Sequence, residues 1–266
     1  QPMKVKVTQE TYNWNYSFSD FFVILNYTFE NQSTSRIDSV YFALWNNAVV
    51  RNVNITPPGS GGAAFYNKGG NGYLDSFYMA YCFDASGDVG FTESYVAQKF
   101  LGAQDKFGFQ HPQISPGFKA HYNAWEFNNT TNPVFFLPSN EQGRYIKLTQ
   151  GLNQTPCWLK NNSQDPDCGS LSYKEQLRSS GNRSDLVSVG PFRSFLPGDK
   201  INVSFAFVFA KKLEDGNPNA EDNATQQSLL KANARWAQTA FNGEDKNFNG
   251  LLDAGEDADG NGVLTR

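Results

Sequence analysis

The segment Lys200–Lys211 alternates its side chains more regularly than any other part of the chain, and this constrains the fold most strongly. Successive side chains of a β-strand point to opposite faces, so a period of two predicts a strand rather than a helix. Large apolar residues lie on one face, and smaller or polar residues lie on the other. The first face comprises Ile201, Val203, Phe205, Phe207 and Phe209, and the second comprises Asn202, Ser204, Ala206, Val208 and Ala210.

Residues 20–30 repeat this pattern and predict a strand with one well-buried face. A polar turn and the apolar run 37–50 follow, so we expect these two runs to pair as an antiparallel hairpin. Further strands are predicted at 4–13, 73–84, 92–101, 144–149 and 185–191. A Gly/Pro-rich loop is expected at 57–72, an irregular region at 104–143 and short helical turns at 171–179.

The apolar period becomes helical from Asp222 to Phe241, with Asn223 or Asp222 as the expected N-cap. We therefore predict a mainly β fold, an antiparallel β-sandwich with one C-terminal α-helix and an EF-hand-like calcium loop. The expected division is a β-sandwich body over residues 1–215 and a C-terminal helix and loop over residues 216–266.

The segment after this helix has the spacing of a twelve-residue calcium loop. Oxygen-bearing side chains occupy positions one, three, five, nine and twelve, with glycine at position six and a backbone carbonyl available at position seven. Calcium takes six to eight oxygen ligands, and this spacing wraps such ligands around one ion. The predicted ligands are Asp245, Asn247, Asn249, Leu251 (through its carbonyl), Asp253 and Glu256. The alternative is a solvated acidic tail that imitates the motif.

A second copy of the motif begins twelve residues later with Asp257, Asp259 and Asn261. Its position twelve would fall beyond Arg266, so this second loop is expected to be incomplete, or to continue in a longer parent protein.

The composition narrows the class of protein. The net charge of −4 and the pI near 5.3 argue against a nucleic-acid binder and a polybasic membrane-surface protein. No apolar run is long enough to predict a transmembrane segment, and no hydrophobic signal peptide is visible.

Cys157 and Cys168 bracket a short polar loop and are expected to form a disulfide, with two free thiols as the alternative. Cys82 is expected to be buried.

Several segments resemble large secreted bacterial surface proteins that use the type IX secretion route. They are QETYNW at 9–14, DFFVILNYTFEN at 20–31, SVGPFRSFLPGDKINVSFAFVFA at 188–210 and AQTAF at 237–241. The resemblance implies a β-sandwich-like region followed by calcium loops, and a secreted, extracellular location at the bacterial cell surface. The loop 245–256 also resembles EF-hand and dockerin-type loops, but without a second complete loop and helix, which argues against a cohesin partner.

No HExxH, GxSxG, P-loop or GxGxxG motif occurs, and the histidines His111 and His121 are interpreted as loop residues. The leading hypothesis is therefore a non-catalytic structural or adhesion protein that is rigidified by calcium and contacts other surface proteins or copies of itself. A carbohydrate-binding module that recognises polysaccharide is the first alternative. Its stacking candidates are Tyr66, Tyr73, Tyr122, Trp125 and Trp158. A glycoside hydrolase using loop carboxylates such as Asp88, Glu93, Glu126 or Glu141 is the second.

Overall fold

The computed structural model describes residues 3–50, 66–86, 93–126, 135, 138–151, 173–212 and 222–265. The strands are β1 (Val5–Tyr12), β2 (Phe22–Asn31), β3 (Val40–Asn46), β4 (Gly69–Leu74), β5 (Met79–Asp84), β6 (Ser94–Asp105), β7 (Gly108–Gln110), β8 (Lys119–Glu126), β9 (Arg183–Phe192) and β10 (Lys200–Lys211). The helices are α1 (Glu141–Thr149), α2 (Tyr173–Leu177) and α3 (Ser228–Asn242).

These strands form two antiparallel sheets. The larger sheet has the order β1-β2-β10-β6-β5-β4, and the short β7 pairs with β6. The smaller sheet has the order β3-β9-β8. β10 lies inside the larger sheet, hydrogen-bonded to β2 on one side and to β6 on the other. The prediction of a mainly β, antiparallel fold is confirmed.

The core between the sheets comes from alternate side chains of facing strands. Val203 and Phe205 of β10 pack in the same buried cluster as Val187 and Val189 of β9. Each of these four side chains is at most 2% exposed. Burial of apolar surface stabilises a fold by about 25 cal/mol per Å², so this shared layer holds the two sheets together as a β-sandwich.

The opposite face of the larger sheet is also buried, because α3 covers part of it. Phe22 and Ile24 of β2 and Val208 of β10 pack with Leu230 and Ala234 of α3. The helical residues are four apart and therefore lie on one stripe of the helix. The sequence predicted one well-buried face for β2, whereas the structure buries both faces at this end of the strand.

Asp222 fixes the point at which the chain approaches α3. Its carboxylate accepts hydrogen bonds from the hydroxyl groups of Tyr81 at 2.7 Å and Tyr95 at 2.9 Å. The α-helix begins at Ser228 rather than at residue 222, because residues 224–227 form a turn before it. The predicted cap Asn223 caps that turn, since its Oδ1 accepts from the N–H groups of Thr225 and Gln226.

Two local predictions fail for different reasons. The expected hairpin between 20–30 and 37–50 is wrong, because β2 pairs with β1 and β10 while β3 pairs with β9 in the other sheet. The expected strand at 144–149 forms the last six residues of the nine-residue helix α1. Asn140 caps this helix, since its Oδ1 accepts a hydrogen bond from the Gly143 N–H at 2.7 Å.

Cys82 is buried and free, in agreement with the expectation for this residue. Its thiol donates to the carbonyl of Ala48 at 3.0 Å, and burial raises its pKa. Cys157 and Cys168 lie outside the described residues, so their disulfide stays a prediction. Among the residues that the structure describes, no helix is both long enough and apolar enough to cross a membrane.

Candidate metal site

Two acidic loops follow α3 directly. Gly243 ends the helix with a φ of +57°, a conformation that glycine adopts without steric penalty, and its N–H donates to the Thr239 carbonyl. The chain then enters the first loop, Asp245–Glu256, and continues into the second, which is described from Asp257 to Thr265.

The first loop is folded around its own carboxylates. Asp245 has no exposed surface, and its Oδ2 accepts a hydrogen bond from the Gly250 N–H at 2.9 Å. Glu256 is 4% exposed and accepts from three backbone N–H groups. Its Oε1 accepts from Lys246 at 2.8 Å and from Asn247 at 3.3 Å, and its Oε2 accepts from Asp253 at 3.0 Å. The last residue of the loop therefore holds positions two and nine together.

The two asparagines bind across the same loop. The Nδ2 groups of Asn247 and Asn249 donate to Oδ2 of Asp253 at 2.7 and 2.6 Å. These bonds favour the ionised carboxylate and lower the pKa of Asp253. The Asn249 Oδ1 accepts from the N–H of Leu251. All the predicted first-loop ligands thus belong to one compact loop, and their binding of calcium stays a prediction.

Phe248 attaches the first loop to the sandwich. Its backbone is left-handed, with a φ of +60°, which costs roughly 1–2 kcal/mol for a residue other than glycine. The ring packs edge-on against Phe109 and His111, with centroid distances of 5.4 and 4.5 Å. These contacts hold the phenylalanine in a strained conformation.

The second loop repeats the backbone of the first. Position four is left-handed in both loops, at Phe248 and at Gly260, where φ is +74°. Position six is a left-handed glycine in both, with φ of +81° at Gly250 and +72° at Gly262. The twelve-residue sequence repeat is therefore also a conformational repeat.

The side-chain hydrogen bonds of the second loop follow the same plan. Oδ2 of Asp257 accepts from the Gly262 N–H at 2.9 Å, the same distance as between Asp245 and Gly250. Oδ1 of Asp259 accepts from the Asn261 N–H at 3.1 Å. In the first loop, Oδ1 of Asn247 accepts from the Asn249 N–H at the same distance.

Glu244 contacts the second loop in the way that Glu256 contacts the first. Its Oε1 accepts from the Ala258 N–H at 2.8 Å, and its Oε2 accepts from the Thr265 N–H at 3.0 Å. These are positions two and nine of the second loop, the positions that Glu256 contacts in the first. Glu244, which precedes both loops, thus accepts in the second loop the hydrogen bonds that Glu256 accepts in the first.

The residues around Glu244 fit a cation. One carboxylate oxygen from each of Glu244, Asp257 and Asp259 lies within 4.8 Å of the others, and this group could hold a metal ion. Oδ1 of Asp257 is buried and has no hydrogen-bond partner among the described residues. A buried carboxylate oxygen without a partner is unfavourable unless a positive charge meets it. Hard oxygen ligands of this kind suit calcium or magnesium.

Sequence reasoning missed Glu244 because it searched for position twelve downstream of the loop. The available signal was the twelve-residue spacing of Glu-Asp at 244–245 and 256–257, each at the start of a loop, although the same dipeptide also occurs at 214–215 and 221–222. A search for the repeat unit, rather than for a single complete loop, would have included this glutamate.

The predicted stacking aromatics are dispersed. Tyr122 is 3% exposed and stacks on the partly buried Tyr73, with 4.8 Å between the ring centroids, so the pair packs with the core. Tyr66 is exposed, Trp125 is half-buried at the end of β8, and Trp158 lies outside the described residues.

The predicted histidines are also in separate surroundings. His111 is buried against Phe100, Phe109 and Phe248, and burial, assisted by the charge of Lys99, lowers its pKa to about 3. His121 lies on β8 beside Tyr41. The one group of three or more metal-binding side chains in the described ranges is that of Glu244, and it includes neither histidine.

A further buried carboxylate lies between the sheets. Asp185 is 2% exposed and accepts hydrogen bonds from Asn71 and Gln98 at 3.0 Å and from Tyr122 at 3.4 Å. Burial raises its pKa to about 7, although the bonds from Asn71 and Tyr122 act in the other direction. This cluster was not predicted, because the carboxylates considered from the sequence were loop residues.

Fold and site together define an antiparallel β-sandwich with a C-terminal helix and a tandem pair of acidic loops. Compared with models of known protein families and with curated proteins, the sequence gives no significant match.

Proposed function

We propose that this chain is a calcium-stabilised, non-catalytic structural or adhesion module that acts outside the cell, at a bacterial surface. The observation that carries the proposal is the convergence of Glu244, Asp257 and Asp259, in which the buried Oδ1 of Asp257 has no hydrogen-bond partner among the described residues. A bound Ca²⁺ would neutralise these carboxylates. It would thereby fix the chain that leaves α3.

Calcium also suits the proposed location. Extracellular calcium-binding modules work with dissociation constants of about 10⁻⁴–10⁻³ M, so weak loops of this type are filled where calcium is abundant. Filling them would stabilise the folded chain by mass action, because the unfolded chain has no preformed site. The role of the ion would be to rigidify the segment through which the module contacts other surface proteins or copies of itself.

Calorimetric titration with CaCl₂ tests the metal part. We expect two sites per chain, of which Glu244→Gln removes the second-loop site and Glu256→Gln removes the first. Glu141→Gln is the matched control, since Glu141 is an exposed carboxylate in the first turn of α1. The absence of both heat and a calcium-dependent rise in Tm would overturn the calcium proposal.

Sedimentation velocity tests the assembly part. The chain is expected to form a larger species in calcium that dissociates after chelation. Glu244→Gln should weaken this species, whereas Glu141→Gln should leave it unchanged. A wild-type chain that is monomeric both in calcium and after chelation would refute self-assembly.

A further inference from the structure

The outer face of the larger sheet is only partly covered by α3, and the uncovered part forms a cleft of about 510 Å³. The strand register explains its floor. Thr28, Asn202 and Gln104 lie directly opposite one another on β2, β10 and β6. One step along the strands, Asn26, Ser204 and Gly102 form a second row. These rows continue the face that α3 covers at Ile24 and Ala206.

The floor is polar and already ordered. Asn26 donates to Glu10 at 3.1 Å and accepts from Ser204 at 2.9 Å. Asn202 accepts from Thr28 at 2.7 Å. These bonds fix the orientation of the amides before any ligand arrives. The Nδ2 group of Asn202 and the Oε1 atom of Gln104 keep free hydrogen-bonding capacity, since neither has a partner among the described residues.

Aromatic side chains line opposite sides of this floor. Tyr12 and Trp14 are on one side, 43% and 39% exposed, which is high for residues that line a cleft. Phe109 and Phe241 are on the other, and they lie directly over Gly102. A Cβ atom at position 102 would be 2.6 Å from Phe109 and 2.8 Å from Phe241, so only glycine lets both rings lie against the sheet.

The chemistry of the lining identifies the class of ligand. No side chain that lines the cleft carries a charge, so an anionic ligand would find no counter-charge among these residues. The Glu10 carboxylate beside the floor is already bonded to the amide of Asn26. A purely apolar ligand would cover the amide groups of the floor without satisfying them, at a cost of about 1–3 kcal/mol each. A neutral sugar matches both parts, because its C–H face packs on aromatic rings while its hydroxyl groups exchange hydrogen bonds with amides and hydroxyls.

We propose that this cleft binds a neutral oligosaccharide, with Trp14 and Tyr12 as the stacking surface and Asn202 and Gln104 as the polar contacts. Its volume lies within the range of roughly 300–1,000 Å³ that is typical of small-ligand sites. The site differs from the aromatics predicted from the sequence, of which Tyr122 is buried and Tyr73 is half-buried against it. The inference does not depend on calcium binding, although Gly250 and Leu264 of the acidic loops form part of the rim.

Affinity electrophoresis of the full chain in gels containing a soluble polysaccharide tests the proposal. The neutral probes are β-glucan, xylan, mannan and galactan, and the charged probes are alginate and chondroitin sulfate. At least one neutral probe should retard the chain, and Trp14→Ala should weaken that binding tenfold or more. The matched control is Trp45→Ala, since Trp45 is 56% exposed on β3 of the other sheet.

Gln104→Ala provides a second test that does not disturb folding, because Gln104 is exposed and donates only a 3.3 Å bond to a neighbouring carbonyl. It should weaken binding severalfold with an unchanged Tm. Failure of all neutral probes, equal losses in Trp14→Ala and Trp45→Ala, or retardation by charged probes alone would each overturn the proposal. All gels contain CaCl₂, and calcium binding is measured separately by calorimetry. A chain that binds sugar in the gels but shows no calcium binding by calorimetry would refute only the calcium proposal.

Discussion

The ring of Phe248 meets the ring of His111 edge-on, with 4.5 Å between the centroids and 80° between the planes. This contact joins an acidic loop to a histidine that is 2% exposed in the sandwich. The loop is therefore not a free appendage of α3. The pair connects the loop to the residue that directly follows β7.

Substitutions at Phe248 should separate the packing of the ring from the strain of the backbone. Phe248→Ala removes the ring and keeps a left-handed non-glycine residue, whereas Phe248→Gly removes both. Both variants should be less stable than the wild type. The free energy of unfolding of Phe248→Gly should exceed that of Phe248→Ala by about 1 kcal/mol, because glycine has no penalty at positive φ. Urea unfolding measures this order, and equal stabilities would show that the backbone is not strained in solution.

His111 should make the protein less stable in acid. The folded state keeps the imidazole neutral, with a pKa of about 3, whereas the unfolded chain binds the proton near pH 6.5. The contribution of His111 to the free energy of unfolding is complete above pH 6.5. It is lost as the pH falls, by up to about 1.4 kcal/mol per pH unit. His111→Phe should abolish this dependence. A variant whose stability follows the same pH curve as the wild type would contradict the assignment.

Asp185 should act in the opposite direction. Its pKa is about 7 in the folded state and 3.8 without burial, so its contribution is complete below pH 3.8 and is lost as the pH rises towards 7. Asp185→Asn should remove this loss of stability at rising pH. The side chain of Gln98 can turn to accept a hydrogen bond from the new amide, because its Oε1 has no partner among the described residues.

Opposing slopes from His111 and Asp185 predict a nearly flat wild-type stability between about pH 4 and 6.5. Over this window, His111→Phe should lose stability as the pH rises, while Asp185→Asn should gain it. Urea unfolding at intervals across the window compares the three proteins. Parallel curves would contradict the opposed roles of the two groups.

Gly102→Ala should displace the rings of Phe109 and Phe241, because the added Cβ would lie well inside van der Waals contact with both. Overpacking of this kind costs about 1–3 kcal/mol. Gly102→Ala combined with Phe109→Leu should recover part of this loss, since leucine leaves more room above the sheet. Thermal unfolding of the single and double variants measures the effect, and additive losses would show that the two positions do not interact.

The strand character of β10 could be predicted from the sequence because alternation at every second residue is a local property. Its neighbours could not be predicted, since the same alternation is compatible with pairing to β3, β2 or β6. The burial of Phe22 and Ile24 on the second face of β2 depends on α3, which is about 200 residues away in the chain. The role of Glu244 was hidden for the same reason, because the contact with Thr265 arises only when the chain returns to its starting point.

That return closes the segment into a ring without a covalent bond. The Glu244 N–H donates to the Thr265 carbonyl at 3.0 Å, while the Glu244 carboxylate accepts from the Thr265 N–H. Closing a loop of about twenty residues costs on the order of 3 kcal/mol in chain entropy. A cation bound by Glu244 would stabilise the point at which Glu244 and Thr265 close this ring, so a single ion would order both loops at once.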